Sequence, residues 1–166
     1  MDRFMFSVMT GYVNETEEAE IVRRTTSTGH PTLSAVIKGA ELIEFAKAIR
    51  QVRLPAELGT WIVDLVATSR PTVAGAPDFV KEYIAWGAGL RASQNIALAA
   101  KSTAAQAGRD TVIADDIATV IVPVLRHRIG LSFRAEVDKV TVEQVVDRLI
   151  AAVPAPGAAQ AAKGGR

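Results

Sequence analysis

Apolar residues recur at intervals of three and four along most of this chain, and that spacing places them on one face of an α-helix. Glycine or proline separates successive apolar stripes. Because a helix with one apolar face must bury it against another element, the spacing predicts a helical bundle of roughly six helices. These predicted helices are residues 14–26, a helix containing residues 42–49, a helix beginning at Pro55, residues 92–107, residues 115–128, and a helix beginning at Thr141.

Local signals mark several helix ends. Asn14 is followed three residues later by Glu17, and Thr141 by Gln144, and both pairs have the spacing of a capping box. Gly108 follows a long stripe of small residues and predicts the end of that helix. The last residues, 155–166, are rich in alanine and glycine and predict a disordered tail.

One segment alternates rather than following the helical period. Residues 4–9 place Phe4, Phe6 and Val8 on one face, which predicts a short β-strand. A lone strand has no partner for its backbone groups. Either the strand docks on a hairpin that the sequence pattern does not reveal, or its sheet belongs to sequence that precedes Met1, and we favour the second alternative. The predicted fold class is mainly α, a helical bundle with one short N-terminal strand left over from an α/β core.

Composition and charge disfavour several functions. The chain has no cysteine, and its two histidines, His30 and His127, lack metal-ligand spacing, so no metal site is predicted. Nineteen basic and 18 acidic residues give a net charge of +1, which is no footprint for nucleic acid. No apolar run reaches about 18 residues and no signal peptide is evident, so a cytoplasmic protein without membrane contact is expected.

Three segments, taken in order, resemble the MoxR family of AAA+ ATPases. DRFMF at residues 2–6 is similar to that family's LDRF-type stretch, and WGAGLRASQ at residues 86–94 is similar to its GAxPRA segment. GRD at residues 108–110, DDI at 115–117 and VLRHRI at 124–129 resemble its GRD…EDV…VLRHR run. Two departures stand out: Leu90 replaces a proline, and residues 113–114 replace a Ser/Thr-Pro helix opening, which removes a cap worth about 1 kcal/mol.

The resemblance implies an AAA+ lid domain at residues 31–154, preceded at residues 1–30 by the trailing strand and helix of an ATPase core. It implies that Arg91 is the sensor-two arginine, which contacts the nucleotide phosphate, and that Arg3 is a candidate trans-acting arginine finger. The cofactors would be ATP and Mg²⁺ in the complete protein. The partners would be the chain's own upstream core, neighbouring subunits of a homo-hexameric ring, and a protein with a von Willebrand factor A (VWA) domain.

The phosphate-binding loop of such ATPases is absent from the sequence. No G-x-x-x-x-G-K-[ST] motif occurs, and the triplet at residues 62–64 superficially resembles a magnesium-binding strand end but lies within a helical stripe. We therefore expect that this chain alone does not bind and hydrolyse ATP. The proposed role is the lid of a chaperone-like remodelling ATPase.

Two other functions stay open at this stage. One is a stand-alone helical adaptor without ATPase activity. The other is a helix-turn-helix-like nucleic-acid module that uses Arg126 and Arg128, which predicts steeply salt-dependent DNA binding.

The remaining basic and aromatic residues have ordinary structural explanations. The basic cluster of Arg126, His127 and Arg128 suits the last turn of a helix, and a subunit contact is the alternative. Trp61, Trp86 and Tyr83 are expected to pack in the core or at a lid hinge rather than to stack on bases.

Overall fold

The computed structural model describes residues 2–29 and 32–157, which contain eight helices and one two-stranded sheet. None of these helices is long and apolar enough to cross a membrane. The elements are α1 (Glu15–Thr25), α2 (Gly39–Gln51), α3 (Ala56–Thr68), α4 (Asp78–Tyr83), β1 (Ile84–Trp86), α5 (Leu90–Gln106), α6 (Ala114–Leu125), β2 (Gly130–Leu131), α7 (Phe133–Val137) and α8 (Val142–Ala152).

The core lies between α3, α5, α6 and α8. On α5 the buried positions are mostly alanine, including Ala99, Ala100 and Ala104, so α6 packs closely against it. The stripe predicted on α3 is buried as expected, and so is the stripe predicted on α6. The predicted mainly helical fold class is confirmed.

The predicted helix ends agree with the structure where their signals were strong. Asn14 and Thr141 each accept the predicted backbone N–H, from Glu17 and Gln144, and both capping boxes are complete. Gly108 has a φ of 71°, the left-handed conformation that ends a helix at low cost for glycine. Helix α6 opens differently, because Ile113 has no side-chain oxygen. The carboxylate of Asp116 accepts the Ile113 N–H over 2.9 Å instead.

The strand predicted at residues 4–9 is wrong. These residues are extended or turned without strand pairing, and within the described chain the sheet lies elsewhere. Strands β1 and β2 pair antiparallel, with Ile84 opposite Leu131 and Trp86 opposite Gly130. The N-terminal segment has one ladder-like bond, from the Ser7 N–H to the Pro123 carbonyl, and its own carbonyls are bound by side chains rather than by a neighbouring strand.

The first two helices contribute no buried residue. Helix α2 contacts α5, whereas both helices leave much of their apolar surface exposed. The predicted tail falls largely on residues 158–166, which lie outside the described residues, as does His30.

Candidate functional site

Arg91 is the second residue of α5, the 17-residue helix of the domain. Its side chain is 50% exposed, so the guanidinium is open to solvent at the helix N-terminus. Gly89, the N-cap residue of α5, is extended, no side chain caps this end, and the first turn contains no acidic residue. Unpaired backbone N–H groups and the helix dipole therefore add to the positive charge of Arg91, and this end of α5 favours an anion.

The turn that leads into α5 is held by the end of α3. The buried Ser69 hydroxyl accepts the Ala88 N–H over 2.9 Å and donates to the Val66 carbonyl over 2.6 Å. The Arg70 Nε donates to the Ala88 carbonyl over 2.9 Å. These bonds fix the chain three residues before Arg91, so the turn is positioned without the proline that Leu90 replaces.

The turn before α5 passes so close to the backbone at the end of α3 that only glycine fits at position 87. A Cβ atom at this position would lie 2.3 Å from the Ser69 carbonyl oxygen and 2.7 Å from the Arg70 Cα. Backbone atoms cannot move aside as a flexible side chain can. Glycine therefore allows the turn to rest directly on the end of α3.

A single carboxylate joins Arg91 to the end of α6. Asp2 places its Oδ2 3.4 Å from Arg91 Nη1 and its Oδ1 3.1 Å from Arg128 Nε. The two arginines are separated by 37 positions along the chain, and the N-terminal segment supplies the carboxylate that contacts both of them. Neither the helical period nor the motif spacing predicts this arrangement.

Arg128 anchors the N-terminal segment. Its side chain is 1% exposed, and Nη2 donates to the carbonyls of Asp2, over 3.1 Å, and of Phe4. Nη1 donates to Met5, over 3.2 Å, and to the Val124 carbonyl of its own helix. A guanidinium has five N–H donors in a fixed fork, and here they replace the partner strand that residues 2–5 lack.

Arg126 and His127 extend this anchor. Arg126 Nη1 donates to the Ser7 carbonyl over 2.9 Å, and its Nε donates to Glu143 over 2.6 Å, which lowers the pKa of that carboxyl. His127 Nε2 lies 3.0 Å from the Phe4 carbonyl, which only accepts, so this nitrogen carries the proton. The three basic side chains thus make their contacts within the chain. The hypothesis of a nucleic-acid module required Arg126 and Arg128 to be available to bind DNA, and their contacts here do not support it.

Arg3 lies beside Asp2 in a turn and is exposed. Within residues 2–29 and 32–157 it has no hydrogen bond or ion pair to another side chain. The structure therefore brings Arg91, Asp2 and Arg128 together, and it leaves Arg3 on the surface next to that group.

The three aromatic residues behave differently from one another. Trp61 is buried, as predicted, and its Nε1 donates to the Val153 carbonyl over 2.7 Å. Of the two alternatives predicted for Trp86, core packing is wrong, because its side chain is 65% exposed, and packing at a lid hinge stays a prediction. Trp86 rests on Gly130 across the sheet, where a Cβ would be 2.0 Å from the indole. Tyr83 has the Arg148 guanidinium 5.4 Å from its ring centre.

Comparison with known proteins identifies the class of this domain. Residues 78–149 match the AAA lid domain family. That range contains the turn at Gly87, all of α5 with Arg91, and the end of α6 with Arg128. The part of the helical bundle from residue 78 to residue 149 is therefore an AAA lid domain.

Relatives identify the family. The chain is 36% identical over 156 residues to Chaperone MoxR1 of Mycobacterium tuberculosis, covering 93% of this chain and 41% of that protein. It is 28% identical over 158 residues to protein YeaC of Bacillus subtilis, covering 94% and 46% of the two chains. A crystal structure of a protein named as an ATPase, from Cytophaga hutchinsonii, superposes with a TM-score of 0.81 at 28% identity, covering 93% of this chain and 47% of that one.

The chain corresponds to the lid portion of the MoxR-type AAA+ ATPases that it matches. It spans less than half the length of each of these relatives.

Proposed function

We propose that this chain is the nucleotide-responsive lid of a ring-forming MoxR-type ATPase, in which Arg91 contacts the γ-phosphate of ATP. The single observation that carries the proposal is the position of Arg91, exposed in the first turn of a helix whose N-terminus has no acidic residue and no side-chain cap. A guanidinium binds phosphate through paired charge-assisted hydrogen bonds, and the helix end adds backbone donors. Closure of the lid on the phosphate would then transmit nucleotide state to the ring.

The residues of this chain suit the phosphates better than the metal. Within the described residues no group of three or more His, Asp or Glu side chains is placed to hold a metal ion. Mg²⁺ would therefore be held by the nucleotide and by the ATPase core. In this proposal Arg91 supplies positive charge to the phosphate, and the turn fixed by Ser69 sets where that charge lies.

The exposed apolar surface supports a nucleotide-binding core as the first partner. Large apolar side chains lie exposed along residues 4–13 and on α1 and α2. A concentration of exposed large apolar side chains in a few segments is typical of a protein contact. We propose that residues 1–30 belong with that core and that the lid domain spans residues 31–154. The apolar side chains in question are Phe4, Val8, Met9, Tyr12, Val13, Ile21, Val22, Leu42, Ile43 and Phe45.

The wider role that we propose follows from the resemblance to MoxR-type ATPases. A homo-hexameric ring in the cytoplasm would use ATP hydrolysis to remodel partner protein complexes, together with a VWA-domain protein. Arg3 would act across the subunit boundary as the arginine finger.

The test is an ATPase assembled by joining this chain to an AAA+ nucleotide-binding core. Loss of one charge-assisted contact costs about 1.5–3 kcal/mol, so Arg91→Ala should lower ATP hydrolysis by about 10- to 100-fold. Arg134→Ala is the matched control, because Arg134 is an exposed arginine on α7 paired only with surface acids. Equal hydrolysis and equal ATP affinity in the Arg91 and Arg134 variants would refute the role of Arg91.

A further inference from the structure

Asp2 is shared by two arginines that hold it unequally. Arg128 is buried and binds both the Asp2 carboxylate and the Asp2 carbonyl. Arg91 is half exposed and makes one contact, at 3.4 Å, which is long for a charged hydrogen bond. If one of these contacts opens, it is therefore the contact between Asp2 and Arg91.

A phosphate that reaches Arg91 meets the Asp2 carboxylate at the same guanidinium. Two anions that approach one cation repel each other, and a phosphate offers more acceptor oxygens than Asp2 Oδ2 does. The helix N-terminus favours the phosphate further, because its N–H groups point outward beyond the first turn. Binding of phosphate and pairing with Asp2 are thus competing uses of Arg91.

We propose that Asp2 is a positioning residue that ties Arg3 to the state of Arg91. Asp2 and Arg3 are neighbours in the chain. When the Asp2 carboxylate separates from Arg91, the position of the Arg3 side chain therefore changes. Arg128 still holds the carbonyls of Asp2, Phe4 and Met5, which confines the movement to the side chain of Asp2 and to Arg3. A subunit whose Arg91 binds a γ-phosphate would in this way change the position of the Arg3 side chain that faces the neighbouring subunit. The inference rests on the proposed phosphate contact of Arg91.

The experiment uses the full 166-residue chain with inorganic tripolyphosphate as the probe and sulfate at equal ionic strength as the reference. Nuclear magnetic resonance follows the Nε–H signal of Arg91 and the backbone N–H of Arg3. In the wild-type chain, tripolyphosphate should shift both signals. A partly exposed ion pair contributes about 0.2–1 kcal/mol, so Asp2→Asn should bind tripolyphosphate about 1.4- to fivefold more tightly. Its Arg3 signal should already lie near the phosphate-bound position.

Two further variants separate pairing from net charge. Glu143→Gln removes one negative charge from a carboxylate that pairs with Arg126, so it matches the charge change of Asp2→Asn without touching Arg91. Its affinity and its Arg3 signal should resemble those of the wild-type chain. Asp2→Glu keeps the charge and should also remain close to wild type, which guards against a variant that merely disorders the segment.

Each result has one meaning. If Arg91→Ala abolishes binding while Asp2→Asn and Glu143→Gln bind equally, the coupling through Asp2 is overturned and the phosphate role of Arg91 stands. If Arg91→Ala binds as tightly as the wild-type chain, the proposed phosphate contact fails and the coupling fails with it. An Arg3 signal that ignores tripolyphosphate in a chain whose Arg91 signal responds also overturns the coupling.

Discussion

Arg109 and Asp116 form a two-point ion pair across the loop between α5 and α6. Arg109 Nη1 and Nη2 donate to the two carboxylate oxygens over 2.8 and 2.6 Å, and Asp116 is 3% exposed. The Asp116 carboxylate also accepts the Ile113 N–H, so it both closes the loop and caps the start of α6. Donation from Arg109 is the main reason that the pKa of Asp116 lies below its ordinary value of 3.8.

The first prediction concerns the dependence of stability on pH. A carboxyl whose pKa is lower in the folded chain stabilises the fold above its unfolded pKa, and that contribution is lost as pH falls through the folded pKa. Asp116→Asn should therefore lower the free energy of unfolding at pH 7 by about 1–3 kcal/mol, because Arg109 loses its charged partner. The difference from the wild-type chain should shrink as pH falls below 3.8.

Chemical denaturation at several pH values measures this difference. Asp115→Asn is the control, because Asp115 is the exposed acid next to Asp116 in the same first turn. A pH-independent loss, or an equal loss in the two variants, would show that the ion pair does not stabilise the fold.

The second prediction concerns the turn before Arg91. Gly87→Ala places a Cβ atom against the backbone of Ser69 and Arg70, and such overpacking costs about 1–3 kcal/mol. The turn must shift to relieve the clash, so the affinity of the chain for tripolyphosphate should fall as well. Thermal unfolding and a tripolyphosphate titration report the two effects.

Gly89→Ala is the matched control for that turn. Nothing lies within 4 Å of a Cβ added at Gly89, and its φ of −90° suits any residue. Alanine is less favourable than glycine at a helix N-cap, so this variant should lose at most about 1 kcal/mol of stability and should bind tripolyphosphate like the wild-type chain. If Gly87→Ala is tolerated equally well, the turn is not held by the end of α3 in the way described.

The third prediction concerns the anchor of the N-terminal segment. Arg128→Lys keeps the charge but loses the fork that reaches several carbonyls at once. The Ser7 N–H, which donates to the Pro123 carbonyl over 2.9 Å, should then exchange with solvent roughly tenfold faster, equivalent to about 1.4 kcal/mol of local stability. Arg134→Lys, an exposed arginine on α7, should leave that exchange rate unchanged. Unaltered exchange in the Arg128 variant would mean that other contacts hold the segment.

The parts of the fold that the sequence predicts are those with repeated signals. The stripe on α3 contains five apolar residues at helical spacing, and each of them is buried. Short elements carry no such repetition: β1 and β2 have three and two residues, and α7 has five, so none of them shows a period. The segment at residues 4–9 shows the opposite error, because its alternation is real but no partner strand lies beside it in the described chain.

The candidate site divides in the same way. Arg91 is found from its motif and from its place after two glycines, and the structure puts it in the first turn of α5. Asp2 lies in the DRFMF stretch, but the sequence does not indicate its partners, because they are residues 89 and 126 positions away. The basic cluster at residues 126–128 is visible in the sequence, whereas its carbonyl partners on the N-terminal segment are not. Long-range pairing of a side chain with backbone groups leaves no periodic trace.

The last prediction concerns Arg3 as a finger that acts on the neighbouring subunit. In the ATPase assembled with a nucleotide-binding core, Arg3→Ala should lower hydrolysis by about 10³- to 10⁵-fold, the range known for arginine fingers, while ATP binding is retained. A mixing experiment tests the action across subunits. Arg3→Ala subunits keep an intact site but offer no finger, whereas subunits with an inactivated core site still offer Arg3. Each variant alone should be inactive, and mixed rings should regain hydrolysis because an intact site then meets an intact finger. Mixed rings without activity, or Arg3→Ala rings with near-normal turnover, would assign Arg3 to the surface of the lid rather than to catalysis.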